Sequence, residues 1–393
     1  MRYRYESFGG IIASYEPPFL AFVDRQYMRE QGLTDESRWK DGDATISVLS
    51  APVEVHFACT NRCSLGCSHC YMDSGSEDSE TLDTEAFKRT LSTLADMGVF
   101  HVAMGGGEAL ERDDLFELAA HARSCGLVPN LTTNGKYVDR KTAEKLRVFG
   151  RINLSLDGVD EYARTYRDGI DFSEIDRAFT TLLDAGIPAG INCVVGRDNI
   201  DGLDDLFSYA ARKGVSEIEL LRFKPSGRGL SLYQQHRPTY EQNRTIYPLF
   251  QRCADRTKVK TKIDCSFVPM FCYHCPPIEE MEANYVCGCE AGNFLLGAKS
   301  DGRIAGCSFL PVLDVTLGEL PGTWRDNPHL QQYRGWDSMK AEPCASCDYL
   351  RICKGGCHAV PWYLEGDIDA PDPDCPRVVE YHRRDGAVVQ GHM

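Results

Sequence analysis

Three cysteines in the eight-residue run Cys63-Ser64-Leu65-Gly66-Cys67-Ser68-His69-Cys70 constrain this chain more than any other stretch. The C-x3-C-x2-C spacing lets one short loop wrap a single inorganic centre. Thiolates suit zinc and the irons of iron–sulfur clusters. A zinc loop would need a remote His or Cys to complete its tetrahedron. A four-iron cubane held by three cysteines would leave one iron without a protein ligand, and catalytic metal sites use such an open position to bind a small molecule. The spacing alone leaves both readings open.

The compartment narrows the choice. Eighteen cysteines would suggest disulfides in a short secreted chain, but this one has 393 residues. No apolar run is long enough to cross a membrane, and Met1-Arg2-Tyr3-Arg4-Tyr5 does not begin a signal peptide. A cytoplasmic protein is expected, and in a reducing compartment clustered cysteines are metal ligands. Lys and Arg total 43 against 58 Asp and Glu, a formal charge of −15, so no broad basic face is available for nucleic acid.

Short apolar strands alternate with helical periods from Val53 onward, as in a parallel sheet covered by helices. The strand candidates are Val53 to Phe57, Val99 to Met104, Val128 to Thr133, Ile152 to Leu156, Ala189 to Val195 and Ile218 to Phe223. Phe87, Leu91, Leu94 and Ala95 recur at helical spacing behind a capping Asp83. Further helices are expected at Asp113 to Cys125, Arg140 to Phe149, Phe172 to Ala185, Asp201 to Lys213 and Tyr240 to Cys253. Ahead of the sheet, Gly9 to Ser14 and Phe19 to Val23, separated by Pro17-Pro18, read as two short strands. They would either cap one end of the barrel or offer an edge to a peptide strand. Trp39 to Asp43 reads as a solvated loop.

The cysteine triplet, with His69 before its last member, and the run Gly105-Gly106-Gly107-Glu108 after the second strand resemble the radical S-adenosylmethionine (radical SAM) superfamily. Ala109 stands where the family has proline, leaving the glycines and carboxylate intact. The resemblance implies an α/β fold, a partial (β/α)6 barrel, with chemistry at the C-terminal ends of its strands. It implies that Cys63, Cys67 and Cys70 hold a [4Fe-4S] cluster whose free iron chelates S-adenosylmethionine. It further implies that Gly105, Gly106, Gly107 and Glu108 hold the cofactor's amino end. Asn134 after the third strand, Ser155 and Asp157 after the fourth, and Arg222 at the end of the sixth match family positions near the cofactor. For Ser155 and Asp157 turn chemistry is the alternative, and for Arg222 balancing the charge of a nearby cluster is another.

A second constellation follows. Cys289, Gly302 and Cys307 precede Cys344-x2-Cys347-x5-Cys353-x3-Cys357, and Cys375 closes the set. This layout resembles the SPASM extension, a small cysteine-rich α+β domain. The resemblance implies an outer auxiliary cluster on Cys344, Cys347, Cys353 and Cys375, and an inner one on Cys289, Cys307 and Cys357. The inner cluster's fourth ligand is Cys287, Cys275, Cys272 or none. Phe294 to Leu296 and Ile304, around Asp301-Gly302, read as a hairpin. Cys59, Cys125, Cys193 and Cys253 are expected in the core. The division expected is 1–50, an N-terminal extension; 51–230, the barrel; 231–285, a bridge; and 286–393, the SPASM domain. Gln390 to Met393 reads as an expression remnant.

The implied chemistry is one-electron cleavage of S-adenosylmethionine to methionine and a 5'-deoxyadenosyl radical, which takes hydrogen from an unactivated carbon. Auxiliary clusters that accept the substrate radical's electron favour oxidation of a ribosomally made precursor peptide, by cross-linking or decarboxylation. Its partners would be that peptide and an external one-electron donor, with no nucleic acid and no membrane. The alternatives are tetrapyrrole side-chain modification, sulfatase activation, or a non-catalytic electron carrier, for which the Gly105 to Glu108 clamp would have no use.

Overall fold

The computed structural model describes residues 1–15, 18–35, 39, 48–76 and 80–384. The chain begins with three antiparallel strands, β1 (Arg2–Glu6), β2 (Gly9–Tyr15) and β3 (Pro18–Asp24), followed by a short helix, α1 (Arg25–Glu30). β2 and β3 are the two expected strands. β1 has no aliphatic alternation to announce it, and its arginines work as anchors instead. Arg4 donates to the carbonyls of Pro52 and Gly98 and pairs with Glu6 at 2.7 Å, while Arg2 reaches the Val99 and Ala95 carbonyls. Those carbonyls lie in the segments that lead into the central strands, so this sheet packs at the barrel's N-terminal end. Trp39 corrects the expectation of a solvated loop: its indole is buried with Ile12 and Met28 and donates to the Gly9 carbonyl at 2.7 Å. Residues 40–43, Pro17 and the expected remnant 390–393 lie outside the described residues.

Six parallel strands follow in spatial and chain order: β4 (Glu54–Thr60), β5 (His101–Gly106), β6 (Val128–Thr133), β7 (Ile152–Ser155), β8 (Gly190–Val195) and β9 (Ile218–Arg222). Between them run α2 (Thr84–Asp96), α3 (Leu115–Ser124), α4 (Arg140–Leu146), α5 (Phe172–Asp184) and α6 (Leu203–Lys213). Each expected βα unit is present, with ends shifted by a few residues. Asp83 caps α2 by accepting from the Ala86 amide, and Phe87, Leu91 and Leu94 turn one face of that helix into the core. Each such fully buried side chain contributes roughly 1.5–3 kcal/mol.

The sheet does not end with the barrel units. After α7 (Gly229–His236) and α8 (Tyr240–Thr257), β10 (Thr261–Ile263) adds in parallel to β9, and the short α9 (Val268–Cys272) follows. On the other flank β11 (Leu295–Ala298) adds in parallel to β4 and turns back through β12 (Arg303–Ala305) to β13 (Val312–Thr316). The result is a ten-stranded sheet, β10-β9-β8-β7-β6-β5-β4-β11-β12-β13. The expected hairpin is β11 and β12, with Gly302 at φ 85° in its turn. β11, from the cysteine-rich region, thus extends the same sheet in parallel, and Cys307 of that region reaches the barrel's cavity. Among the described residues no helix is long and apolar enough to cross a membrane.

Candidate active site

The loop after β4 carries Cys63, Cys67 and Cys70, and all three line one cavity of about 310 Å³ at the C-terminal ends of the strands. Bonds from elsewhere hold the loop. The Ser68 amide donates to the Tyr166 carbonyl at 2.9 Å, and Arg228 donates from its amide to Cys70 O and from Nε to Cys67 O, both at 2.9 Å. His69 stacks on Tyr166 and its Nε2 lies 3.0 Å from Asp157 Oδ2. Asp157 also pairs with Arg167 at 2.7 Å and accepts from the Val194 amide at 2.8 Å. Burial would push the Asp157 carboxyl up, but Arg167 and His69 outweigh it and hold it down to about 2. Its bonds therefore go to a strut under the cysteine loop, while Ser155 lines the cavity. Burial pushes the Cys63 thiol up to about 11, so metal must displace a proton to load this loop.

The glycine run is required by close approach. Gly106 has φ 109°, and a β-carbon on Gly107 would stand 2.2 Å from the Arg62 carbonyl oxygen. Gly105 faces open space on the cavity, where any side chain would intrude. Glu108 is 1% exposed and accepts from Thr133 Oγ1 at 2.7 Å, the Asn134 amide at 2.8 Å and the Leu110 amide at 3.0 Å. Burial pushes its carboxyl up despite these bonds, and no cation among the described residues pairs with it. Beside it the buried Asn134 Nδ2 donates to nothing. A buried carboxylate lacking a cation and an amide lacking an acceptor suit an ammonium and a carboxylate, the amino-acid end of S-adenosylmethionine. Glu108→Gln is expected to weaken cofactor binding about ten- to a hundredfold, the worth of a charge-assisted hydrogen bond. Equilibrium dialysis on the iron-loaded protein checks this, with iron content unchanged.

Most of the remaining thiols fall into two groups. The charges of Cys307 and Cys357 act on Cys289, and those of Cys289 and Cys357 act on Cys265. Cys265, outside the candidates Cys287, Cys275 and Cys272, thus lies close to Cys289 and Cys357. Cys287 and Cys275 are exposed. Cys344, Cys347, Cys353 and Cys375 line a second, smaller cavity, together with Cys272. Cys59, Cys193 and Cys253 are buried, as expected, and Cys125 is half-buried. Among the described residues no three His, Cys, Asp or Glu side chains converge tightly enough for a single metal ion. Sulfurs around a cubane stand farther apart than those around one zinc, where bonds are ~2.3 Å.

Arg222 lines the main cavity, but its bonds lead away from it. Its guanidinium donates to Asp372 at 2.5 and 3.0 Å, to Asp374 at 2.7 Å and to the Ser266 carbonyl at 3.1 Å.

The cavity has a polar floor that motif reading missed. Asn153 Nδ2 donates to Asn192 Oδ1 at 2.6 Å, and Asn192 Nδ2 to Thr132 Oγ1 at 3.3 Å. Glu54, His56, Glu219 and Lys299 complete the lining, and burial pushes the Glu219 carboxyl up. The signal was present in the alternation: Glu54 and His56, Asn130 and Thr132, Asn153 and Ser155 repeat at period two on strands whose other faces are apolar.

Residues 57–210 match the family model of the radical SAM superfamily. Over 337 residues the chain is 31% identical to the mycofactocin maturase MftC of Mycolicibacterium smegmatis, with 83% of each protein covered. It is 28% identical to the PqqA peptide cyclase of Gluconobacter oxydans, over 88% of this chain and 97% of that protein. Streptococcus suis SuiB, in its structure bound to precursor peptide SuiA, has a similar fold, with a TM-score of 0.74 at 19% identity and coverage of 95% of this chain and 98% of that one.

Proposed function

Because the chain belongs to the radical SAM superfamily, with the cysteine-rich C-terminal extension of its SPASM members, we propose that it is a peptide maturase: it oxidises a ribosomally made precursor peptide by forming a cross-link or by decarboxylation. One observation carries the reading. A single cavity runs from Cys63, Cys67 and Cys70 past Glu108 and Asn134 to Cys307 and Phe309 of the C-terminal region. A substrate held there touches both the site that generates radicals and a site able to accept an electron. Tyr71, next to Cys70, packs on Phe309 with ring centroids 4.9 Å apart, so the two ends are in contact through aromatic rings. The names of the maturase and cyclase relatives agree with a peptide substrate.

When bound, the [4Fe-4S] cluster and S-adenosylmethionine supply the one-electron chemistry that yields a 5'-deoxyadenosyl radical. The residues of the chain do the rest. Cys63, Cys67 and Cys70 ligate the cluster, and Glu108 and Asn134 orient the amino-acid end of the cofactor. The His69–Asp157–Arg167 contacts keep the loop rigid. Cys265, Cys289, Cys307 and Cys357 ligate the inner auxiliary cluster, and Cys344, Cys347, Cys353 and Cys375 the outer one. An external donor supplies the first electron.

The test is anaerobic incubation of the iron-loaded protein with S-adenosylmethionine, a strong reductant and any short peptide encoded beside its gene. Deoxyadenosine together with a peptide lighter by two hydrogens, or by two hydrogens and carbon dioxide, is the expected result. Deoxyadenosine with an unchanged peptide would sink the peptide reading and turn the search to tetrapyrroles or a sulfatase. Cys265→Ala is expected to reduce the oxidised peptide to background while S-adenosylmethionine cleavage continues, since only the second electron transfer is lost.

A further inference from the structure

One cation of the main cavity has no charged partner. Five lysine and arginine side chains line that cavity: Arg151, Arg167, Arg222, Lys224 and Lys299. Arg151 pairs with Glu217 at 3.3 Å, Arg167 with Asp157 at 2.7 Å and Arg222 with Asp372 at 2.5 Å, and Lys224 pairs with Asp264. Lys299 is the exception. Among the described residues no carboxylate lies within ion-pair distance of it, and Asp301, two residues on, is taken by Arg303 at 2.7 Å. The Lys299 ammonium donates to the Ser308 carbonyl at 3.3 Å and stands 3.9 Å from the Met72 sulfur. An ammonium has three N–H donors. One long bond to a carbonyl and one weak contact leave its charge uncompensated in a half-buried position.

The fold shows what this charge faces. Lys299 follows β11, whose Ala298 pairs with Phe57 of β4, so it stands toward the C-terminal ends of the strands. Met72 lies two residues beyond Cys70, and Ser308 is next to Cys307. The ammonium therefore sits where the cysteine loop meets the C-terminal region. The partners of the cofactor's amino-acid end lie elsewhere: Glu108, Thr133 and Asn134 follow or end β5 and β6, across β4 from β11. Ser308 Oγ and His56 Nδ1, 3.3 Å apart, also line the cavity and add neutral hydrogen-bonding groups beside the lysine.

We infer that Lys299 is a specificity-determining residue that binds a carboxylate of the peptide substrate, from an acidic side chain or from the C-terminus. The inference deepens the peptide-maturase reading and rests on it. A carboxylate is the occupant because, of the groups an unmodified peptide carries, it is the one that is anionic at neutral pH. It supplies the charge and the acceptor oxygens that no described side chain gives Lys299. Held there, the residue bearing the carboxylate stands between the loop of Cys70 and Cys307.

The test is a cycle of peptide binding to the iron-loaded full chain and to its Lys299→Met and Lys299→Arg forms, with S-adenosylmethionine present and no reductant. The probes are any short peptide encoded beside the gene, the same peptide with its C-terminus amidated, and the same peptide with each Asp and Glu replaced by its amide. For the wild type one of the two altered peptides is expected to bind about ten- to a hundredfold more weakly, which identifies the source of the carboxylate. Lys299→Met is expected to bind the encoded peptide more weakly by a similar factor and to lose the preference, while Lys299→Arg keeps it. The affinity for S-adenosylmethionine and the electron paramagnetic resonance signals of the reduced auxiliary clusters are expected to stay as in the wild type. A Lys299→Met form that still prefers the carboxylate would overturn the inference, as would a wild type indifferent to both changes. An equal loss on every peptide, with weaker S-adenosylmethionine binding or altered cluster signals, would overturn it too, making Lys299 a partner of the cofactor or of the inner cluster. Added reductant separates the premise from the inference: a wild type that oxidises no such peptide would overturn the peptide reading and this subsite with it.

Discussion

Cys67→Ala is expected to abolish cleavage of S-adenosylmethionine while the iron held by the C-terminal cysteines stays in place. In the proposed assignment the loop supplies three thiolates to a cluster whose fourth iron is left open for the cofactor, so it has no ligand to spare. Cys67 is nearly buried, and its carbonyl is fixed by Arg228 Nε, so the loop offers no slack to bring another group inward. The nearest cysteine outside the loop, Cys59 of β4, is fully buried in the apolar core. Deoxyadenosine formation should fall at least a thousandfold, or ~4 kcal/mol in barrier height, and iron by about four per chain. Anaerobic chromatography of deoxyadenosine with iron analysis measures both. Unchanged cleavage would refute the ligand assignment at the point on which the rest of the chemistry depends.

What the sequence made legible was what it holds locally. The cysteine loop, the glycine run and the aliphatic strands are patterns within short windows, and the structure puts them where their spacing implied. The capping of α2 by Asp83 and the turn at Gly302 are likewise local. Convergence across distance was not legible. Asp157 was read as a residue near the cofactor, yet its partner His69 lies 88 residues away, and no spacing rule links a strand end to a loop that far back. Cys265 and Cys272 follow a similar logic. Both sit in the bridge, where the lone C-x2-C pair of Cys272 and Cys275 does not say which set a thiol joins, and only the packing puts Cys265 near Cys289 and Cys357 and Cys272 in the cavity of Cys344, Cys347, Cys353 and Cys375. β1 and β10 were missed because arginines anchor the first and the second has three residues, too few for a period.

Arg222→Met is expected to cost about 3–5 kcal/mol of stability, because it leaves Asp372 as a buried carboxylate without its cation and takes from Asp374 one of its two. That is a large share of the 5–15 kcal/mol typical of a folded domain. The three side chains are 5% exposed or less, and the pairs run at 2.5 and 2.7 Å. Their links extend further. Asp372 Oδ2 accepts the Cys357 amide at 3.0 Å, and Asp374 accepts from the Tyr233 hydroxyl at 2.5 Å and pairs with Arg237 at 2.8 Å. The network therefore fastens the end of β9 to the segment that carries Cys375 and to the backbone of Cys357. Losing it should lower the urea midpoint and speed iron loss from both auxiliary sites, while S-adenosylmethionine affinity holds. Replacing Asp372 by Asn in the Arg222→Met background should recover part of the stability, since the unpaired charge is then gone. An Arg222→Met protein that unfolds at the wild-type urea concentration but binds S-adenosylmethionine poorly would return Arg222 to the cofactor.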